Sequence, residues 1–270
     1  MKDTEFLKNN GVDIDSALSL LGDLSFYDDT LRQFLEENKT RLKDIAKYRK
    51  EGNMPEYAIL VHSLKSDAKY LGFTELADIA FEHEMASKAN NITAVDAKFT
   101  DFVNIYNKYA KVAFEYLNLS VNNSQSTTSI ENASTEDNSS SEKKIIVADD
   151  SPIISSIVEK TFDGKYNVLV ASNGQQAIDY IKVNDPKNIT ALLLDLNMPD
   201  VDGFAVLDYF KEKDLFKDIP VCIITGDVEK ERIDRAFTYD IVDVLPKPFT
   251  MDNVKQVVEK VVYANENKIN

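Results

Sequence analysis

The chain has 270 residues, enough for two domains that each bury a core, and a net charge of −15, which disfavours nucleic-acid backbones and anionic membranes as partners. Its lone cysteine, Cys222, excludes a disulfide framework and fits a reducing compartment. No apolar run reaches the length of a membrane span, and Met1-Lys2-Asp3-Thr4-Glu5 does not open a signal peptide, so a soluble, cytoplasmic protein is expected.

Residues 1–119 read as helices throughout. Ser25 or Asp28 is a candidate cap for a long helix running to about Lys50, with Leu31, Phe34, Leu35, Leu42 and Ile45 at helical spacing. Glu51-Gly52-Asn53 ends it, and Pro55 suits the first turn of the next. That next helix, about 55–71, carries a stripe of Tyr57, Leu60, Val61, Leu64, Ala68 and Leu71. Two more follow at about 74–89 and 93–117, and a short one at about 13–21 covers an end. Long helices with short connections predict an antiparallel bundle.

Within the second long helix, His62 borders the apolar stripe, with Lys65, Ser66 and Lys69 on the same face. An exposed imidazole beside two ammonium groups is suited to receive an anion, and its neutral nitrogen is a competent nucleophile for phosphorus. The same spacing is equally met by an ordinary surface histidine. The run His62-Ser63-Leu64-Lys65-Ser66, with Gly72 beyond it, resembles the histidine phosphotransfer (HPt) domain, a four-helix bundle with the pattern His-x-Leu-Lys-Gly. Ser66 replaces the glycine. The resemblance implies that His62 carries the phosphoryl group and that Lys65 steadies it. His83 lies between Glu82 and Glu84; those acids repel an anion, so His83 is expected to be structural or a surface residue.

Residues 120–142 are rich in Ser, Asn and Thr and carry acids but no bases. Such a stretch buries too little apolar surface to offset its ordering entropy, so it reads as a flexible tether. A tether of this length holds the following domain at an effective concentration on the millimolar scale.

From about residue 143, short apolar runs alternate with helical patterns, predicting a doubly wound parallel sheet. Strands are expected near 144–148, 166–170, 190–194, 220–224 and 242–245. Helices are expected near 152–162, 174–184, 203–211, 228–237 and 251–265. Four strands end in residues able to do chemistry: Asp149-Asp150, Asp195, Thr225-Gly226 and Lys247-Pro248. Sites of open α/β sheets lie at these carboxyl ends. Clustered carboxylates raise one another's pKa unless a cation sits among them, and an all-oxygen set suits magnesium.

This arrangement resembles the receiver domain of two-component response regulators over about residues 143–265. The resemblance implies that Asp195 is the phospho-acceptor and that Asp149, Asp150, Asp195 and the backbone carbonyl of Asn197 bind Mg2+. It further implies that Thr225 and Lys247 hold the phosphoryl oxygens, and that the Lys247-Pro248 bond is cis. Val244 stands where the family often has an aromatic switch residue. Asn197 and Asp227 occupy positions that resemble those tuning dephosphorylation in this family, which leads us to expect a short-lived aspartyl phosphate.

The expected architecture is therefore an all-α HPt-like bundle (1–119), a linker (120–142) and an α/β receiver (143–270). The expected function is phosphorelay: Asp195 accepts a phosphoryl group, and His62 exchanges one with a receiver aspartate in cis or in a partner. Sensor or hybrid histidine kinases and other receiver or HPt proteins are the implied partners. With no glycine-rich nucleotide loop and no DNA-binding module, the chain reads as a stoichiometric transfer protein, neither a kinase nor a transcription factor. Two alternatives stay open at this point. One is a scaffold on a receiver fold; the other is an aspartyl-phosphate phosphatase, which is weakened by Asn197 standing where such enzymes place an acid.

Overall fold

A computed structural model describes residues 4–122, 143–226 and 230–268. The N-terminal helices are α1 (Thr4–Asn9), α2 (Ile14–Leu21), α3 (Leu24–Glu51), α4 (Met54–Tyr70), α5 (Thr74–Lys88) and α6 (Ile92–Asn122). Helices α3 to α6 pack as the antiparallel bundle, while α2 lies against α3 and α4. Helix α1 was not expected from the sequence. Asp23 caps α3 in place of Ser25 or Asp28, accepting from Phe26 N at 2.9 Å; a carboxylate one residue before the helix reaches the free amides of its first turn. Gly52 closes α3 in the left-handed conformation (φ 69°), and Asn53 caps α4. Gly72, at φ +72°, lets the chain after α4 pass close to α2, because a Cβ there would lie 2.3 Å from Asp13 O.

Helix α6 runs to Asn122, past the expected start of the tether; residues 123–142 of that tether, and Asp227, lie outside the described residues.

The second domain contains β1 (Lys144–Ala148), α7 (Pro152–Phe162), β2 (Asn167–Ala171), α8 (Gly174–Val183), β3 (Ile189–Leu194) and α9 (Gly203–Glu212). It continues with β4 (Val221–Thr225), α10 (Lys230–Ala236), β5 (Asp243–Pro246) and α11 (Met251–Lys268). The strands are parallel in the order β2-β1-β3-β4-β5. Strand order reverses between β1 and β3, the switch point at which such sheets open a crevice. Expected strands match observed ones to within a residue.

One apolar cluster backs the sheet with Ile146, Leu192, Leu194, Phe204 and Phe210. The other joins Val147, Leu193, Ile153, Ile157 and Phe249 without a break to the bundle residues Leu31, Val61, Leu64 and Ala68. The two domains therefore share a core. Seven consecutive residues of α4, His62 to Ala68, are buried. Consecutive helical residues point in all directions, so α4 is covered by the bundle on one side and by the receiver on the other.

Candidate functional site

Asp195 is placed by the end of β3, Asp149 and Asp150 by the end of β1, Thr225 by the end of β4, and Lys247 by the chain just beyond β5. Asp195, Asp149 and Thr225 are almost fully buried. Asp149, Asp150 and Asp195 each offer a carboxylate oxygen within 4.8 Å of the others. Lys247 Nζ lies 2.6 Å from both Asp149 Oδ2 and Asp195 Oδ2, and the Lys247–Pro248 peptide bond is cis. The amide of Ser151 donates to Asp149 Oδ1 at 2.9 Å, and that of Asn197 donates to Asp195 Oδ1 at 3.2 Å. Gly203 makes room for the loop after Asp195: a Cβ there would lie 2.2 Å from Asp195 O.

One ammonium cannot neutralise three carboxylates. Burial, with Asp195 adding to it, pushes Asp149 up to about 7 despite Lys247. Burial, then Asp149 and Asp195, push Asp150 well above the usual carboxylate range. Burial works against the Lys247 ammonium, but Asp149 and Asp195 outweigh it and raise its pKa. A pocket with this excess of negative oxygen fits a hard divalent cation. The side chain of Asn197 accepts from Arg232 Nη2 at 2.9 Å, a contact with no sequence signal.

The bundle's histidine is not where the sequence put it. His62 was expected on an exposed face, yet it is only 3% exposed, because the receiver covers the side of α4 that the bundle leaves open. Its Nδ1 lies 2.6 Å from Glu84 Oε1, and Lys65 Nζ lies 2.6 Å from Glu84 Oε2. Lys88 Nζ adds a contact with Glu84 at 3.0 Å. Burial alone would raise the Glu84 pKa, but the His62 hydrogen bond and the charge of Lys65 together hold it below the usual range. An ionised carboxylate only accepts, so Nδ1 is the ring nitrogen that donates to Glu84. Nε2 is buried without a hydrogen-bond partner. It faces Gly226: a Cβ added there would lie 3.7 Å from Nε2 and 3.9 Å from Lys247 Cβ.

Lys65 therefore pairs with Glu84 and approaches His62 Nδ1 only to 3.5 Å. Ser66, expected to keep an open face, is buried. His83 is buried as a structural residue, with Tyr57 OH 2.7 Å from its Nδ1.

The domain contact has further fasteners. Asp67 accepts from Ser151 Oγ at 2.6 Å and from Arg41 Nη1 at 2.6 Å. Arg41 also pairs with Glu37. Tyr70 OH accepts from the Phe249 amide at 2.9 Å, and the two rings meet edge to face at 6.0 Å. At the rim, Lys160 Nζ donates to Asp23 at 3.0 Å, and Ser156 Oγ donates to Gln33 at 3.3 Å. Sequence reasoning missed Glu84, Asp67, Arg41 and Tyr70. Glu84 was read only as a neighbour of His83, although one helical step turns the two side chains to different sides. Asp67 carried one usable signal, an acid among residues that otherwise pack.

Among the described residues, no helix is long and apolar enough to cross a membrane. Residues 29–111 match the Hpt domain family and residues 145–259 match the response regulator receiver domain family. Chemotaxis protein CheY1 of Helicobacter pylori is 29% identical over 122 residues, covering 44% of this chain and 97% of that protein. The chemotaxis protein CheY homolog of Campylobacter jejuni is 27% identical over 118 residues, covering 43% of this chain and 89% of that protein. The solved receiver domain of the Francisella response regulator 1452 is 24% identical with a TM-score of 0.41, covering 45% of this chain and 98% of that one. The chain is thus a two-component phosphorelay protein, in which an Hpt domain precedes a response regulator receiver domain.

Proposed function

We propose that Asp195 is the phospho-acceptor of the receiver and that His62 is the phosphotransfer residue of the bundle. The observation that carries this reading is the meeting of Asp149, Asp150, Asp195 and Lys247 at one sheet edge. An Asp195 oxygen attacks phosphorus of a phosphohistidine; the new O–P bond forms as the N–P bond breaks, and the imidazole leaves. Lys247 and Thr225 hold the equatorial oxygens, giving the fixed charge and donor that a dispersed anion needs. Asp149, Asp150 and Asp195, with the carbonyl of Asn197, would hold Mg2+, which supplies charge neutralisation when bound. On the bundle, Glu84 keeps the proton on Nδ1, so that Nε2 is the reacting nitrogen, and Lys65 keeps Glu84 ionised.

The chain transfers one phosphoryl group per site and does not turn over substrate. Its partners are sensor or hybrid histidine kinases and other receiver or Hpt proteins, met in the cytoplasm; a buried, unpaired Cys222 is consistent with that compartment.

Incubation with acetyl phosphate and Mg2+, followed by a phosphate-affinity gel, tests the assignment. A stoichiometric shifted band that is lost in Asp195→Ala is the expected result. A band unaffected by that change would remove Asp195 from its role. No band in any variant would favour a scaffold, and many turnovers per chain a phosphatase.

A further inference from the structure

We infer that the two domains of one molecule are each other's transfer partners: His62 and Asp195 exchange a phosphoryl group in cis, from the docked arrangement that Tyr70 and Asp67 fasten. This rests on the roles proposed above for His62 and Asp195, and adds that the exchange needs no second protein.

Three observations carry it. First, His62 Nε2 is buried and unpartnered while Nδ1 is occupied by Glu84. Second, that nitrogen opens on the receiver's pocket and not on the bundle: it faces Gly226, the residue after Thr225, beside Lys247, whose Nζ touches Asp195. Third, the fasteners flank the pocket. Tyr70 OH takes the amide of Phe249, two residues beyond Lys247, and Asp67 takes the hydroxyl of Ser151, two residues beyond Asp149. Arg41 holds Asp67 from the bundle side. Contacts so close to the reacting groups fix their relative position, which is what converts a bimolecular transfer into a unimolecular one. With His62 3% exposed, another protein reaches it only after the bundle lifts away.

The step balances without an added acid or base. The Nε2 lone pair forms the N–P bond as the P–O bond to Asp195 breaks, and the carboxylate departs as an anion. The ring proton stays on Nδ1, and the Glu84 carboxylate beside it offsets the positive charge gained by the ring. The reverse step returns the phosphoryl group to Asp195.

The test uses the full chain, loaded with radiolabelled acetyl phosphate and Mg2+ and then freed of donor. Aspartyl phosphate is lost in alkali and phosphohistidine survives it, so the two are read separately. The fraction of label moving to His62 per minute should stay constant over a hundredfold dilution. An equimolar mixture of His62→Ala and Asp195→Ala chains at low micromolar concentration should transfer at least tenfold more slowly, at a rate that rises with concentration. Tyr70→Phe should slow the transfer several-fold, while acetyl phosphate loads Asp195 equally well in His62→Ala and in the Tyr70→Phe/His62→Ala double variant. A wild-type rate proportional to concentration, a mixture as fast as wild type, or label confined to Asp195 would overturn the cis exchange and leave Asp195 as the acceptor. Absence of label on Asp195 would overturn both readings.

Discussion

Glu84 and His62 meet at 2.6 Å, Oε1 to Nδ1, on neighbouring helices of the bundle. The carboxylate occupies Nδ1 and, in the role proposed for His62, leaves Nε2 as the nitrogen that meets phosphorus. Replacing it by Gln keeps the shape but removes the charge. Glu84→Gln should lower phosphohistidine formation by about tenfold or more, since a hydrogen bond to a charged group is worth about 1.5–3 kcal/mol. Loading of Asp195 by acetyl phosphate should not change. Equal phosphohistidine yields and initial rates in the two proteins would show that Glu84 has no such role.

The same carboxylate predicts a pH dependence of stability. Its folded-state pKa lies below the ordinary 4.5, so the unfolded chain binds the proton more readily. The stability it contributes is complete above about pH 4.5 and declines as pH falls from there towards the depressed value. Thermal melts of wild type and Glu84→Gln should therefore converge on acidification below pH 4.5 and lie furthest apart near neutrality. Parallel curves across that range would contradict the assignment.

Among the described residues, Lys247 is the one cation in contact with Asp149 and Asp195. Lys247→Ala leaves buried carboxylates unpaired, a loss on the order of 3–5 kcal/mol when one partner of such a pair is removed. The melting temperature in chelator should fall by several degrees. Magnesium should restore more of it in the variant than it adds to wild type, because binding to the folded state stabilises by mass action. A variant that melts with wild type in EDTA would rule out this charge balance.

Gly203 packs under the backbone of Asp195 with no space for a methyl group. Gly203→Ala should cost roughly 1–3 kcal/mol as an overpacking substitution and displace Asp195. The measured signature is a lower melting temperature together with poor acetyl phosphate labelling. Wild-type labelling in this variant would mean that the Asp195 loop adapts freely.

The receiver pocket was legible in the sequence because each of its residues follows a short apolar run, and parallel strands bring their ends together whatever lies between. His62 was legible as a chemical group but not as a buried one. Periodicity reports which face of a helix packs within its own bundle; it carries no information on what a domain more than eighty residues away lays over the other face. Ser151 is 84 residues from Asp67, and Phe249 is 179 from Tyr70. Glu84 was hidden for a related reason: its partner sits on a different helix, and neither side chain alone announces the pairing. The cap at Asp23 was missed because Ser25 and Asp28 offered equally good local chemistry.

The chemistry of the α4 outer side has a mechanical consequence. Where it meets the receiver, this side offers a carboxylate, an imidazole and a phenol, groups that water can satisfy as well as protein can. Set beside the shared apolar core, these groups bond in one direction only, so they act as a key that sets the register in which the helix meets the receiver.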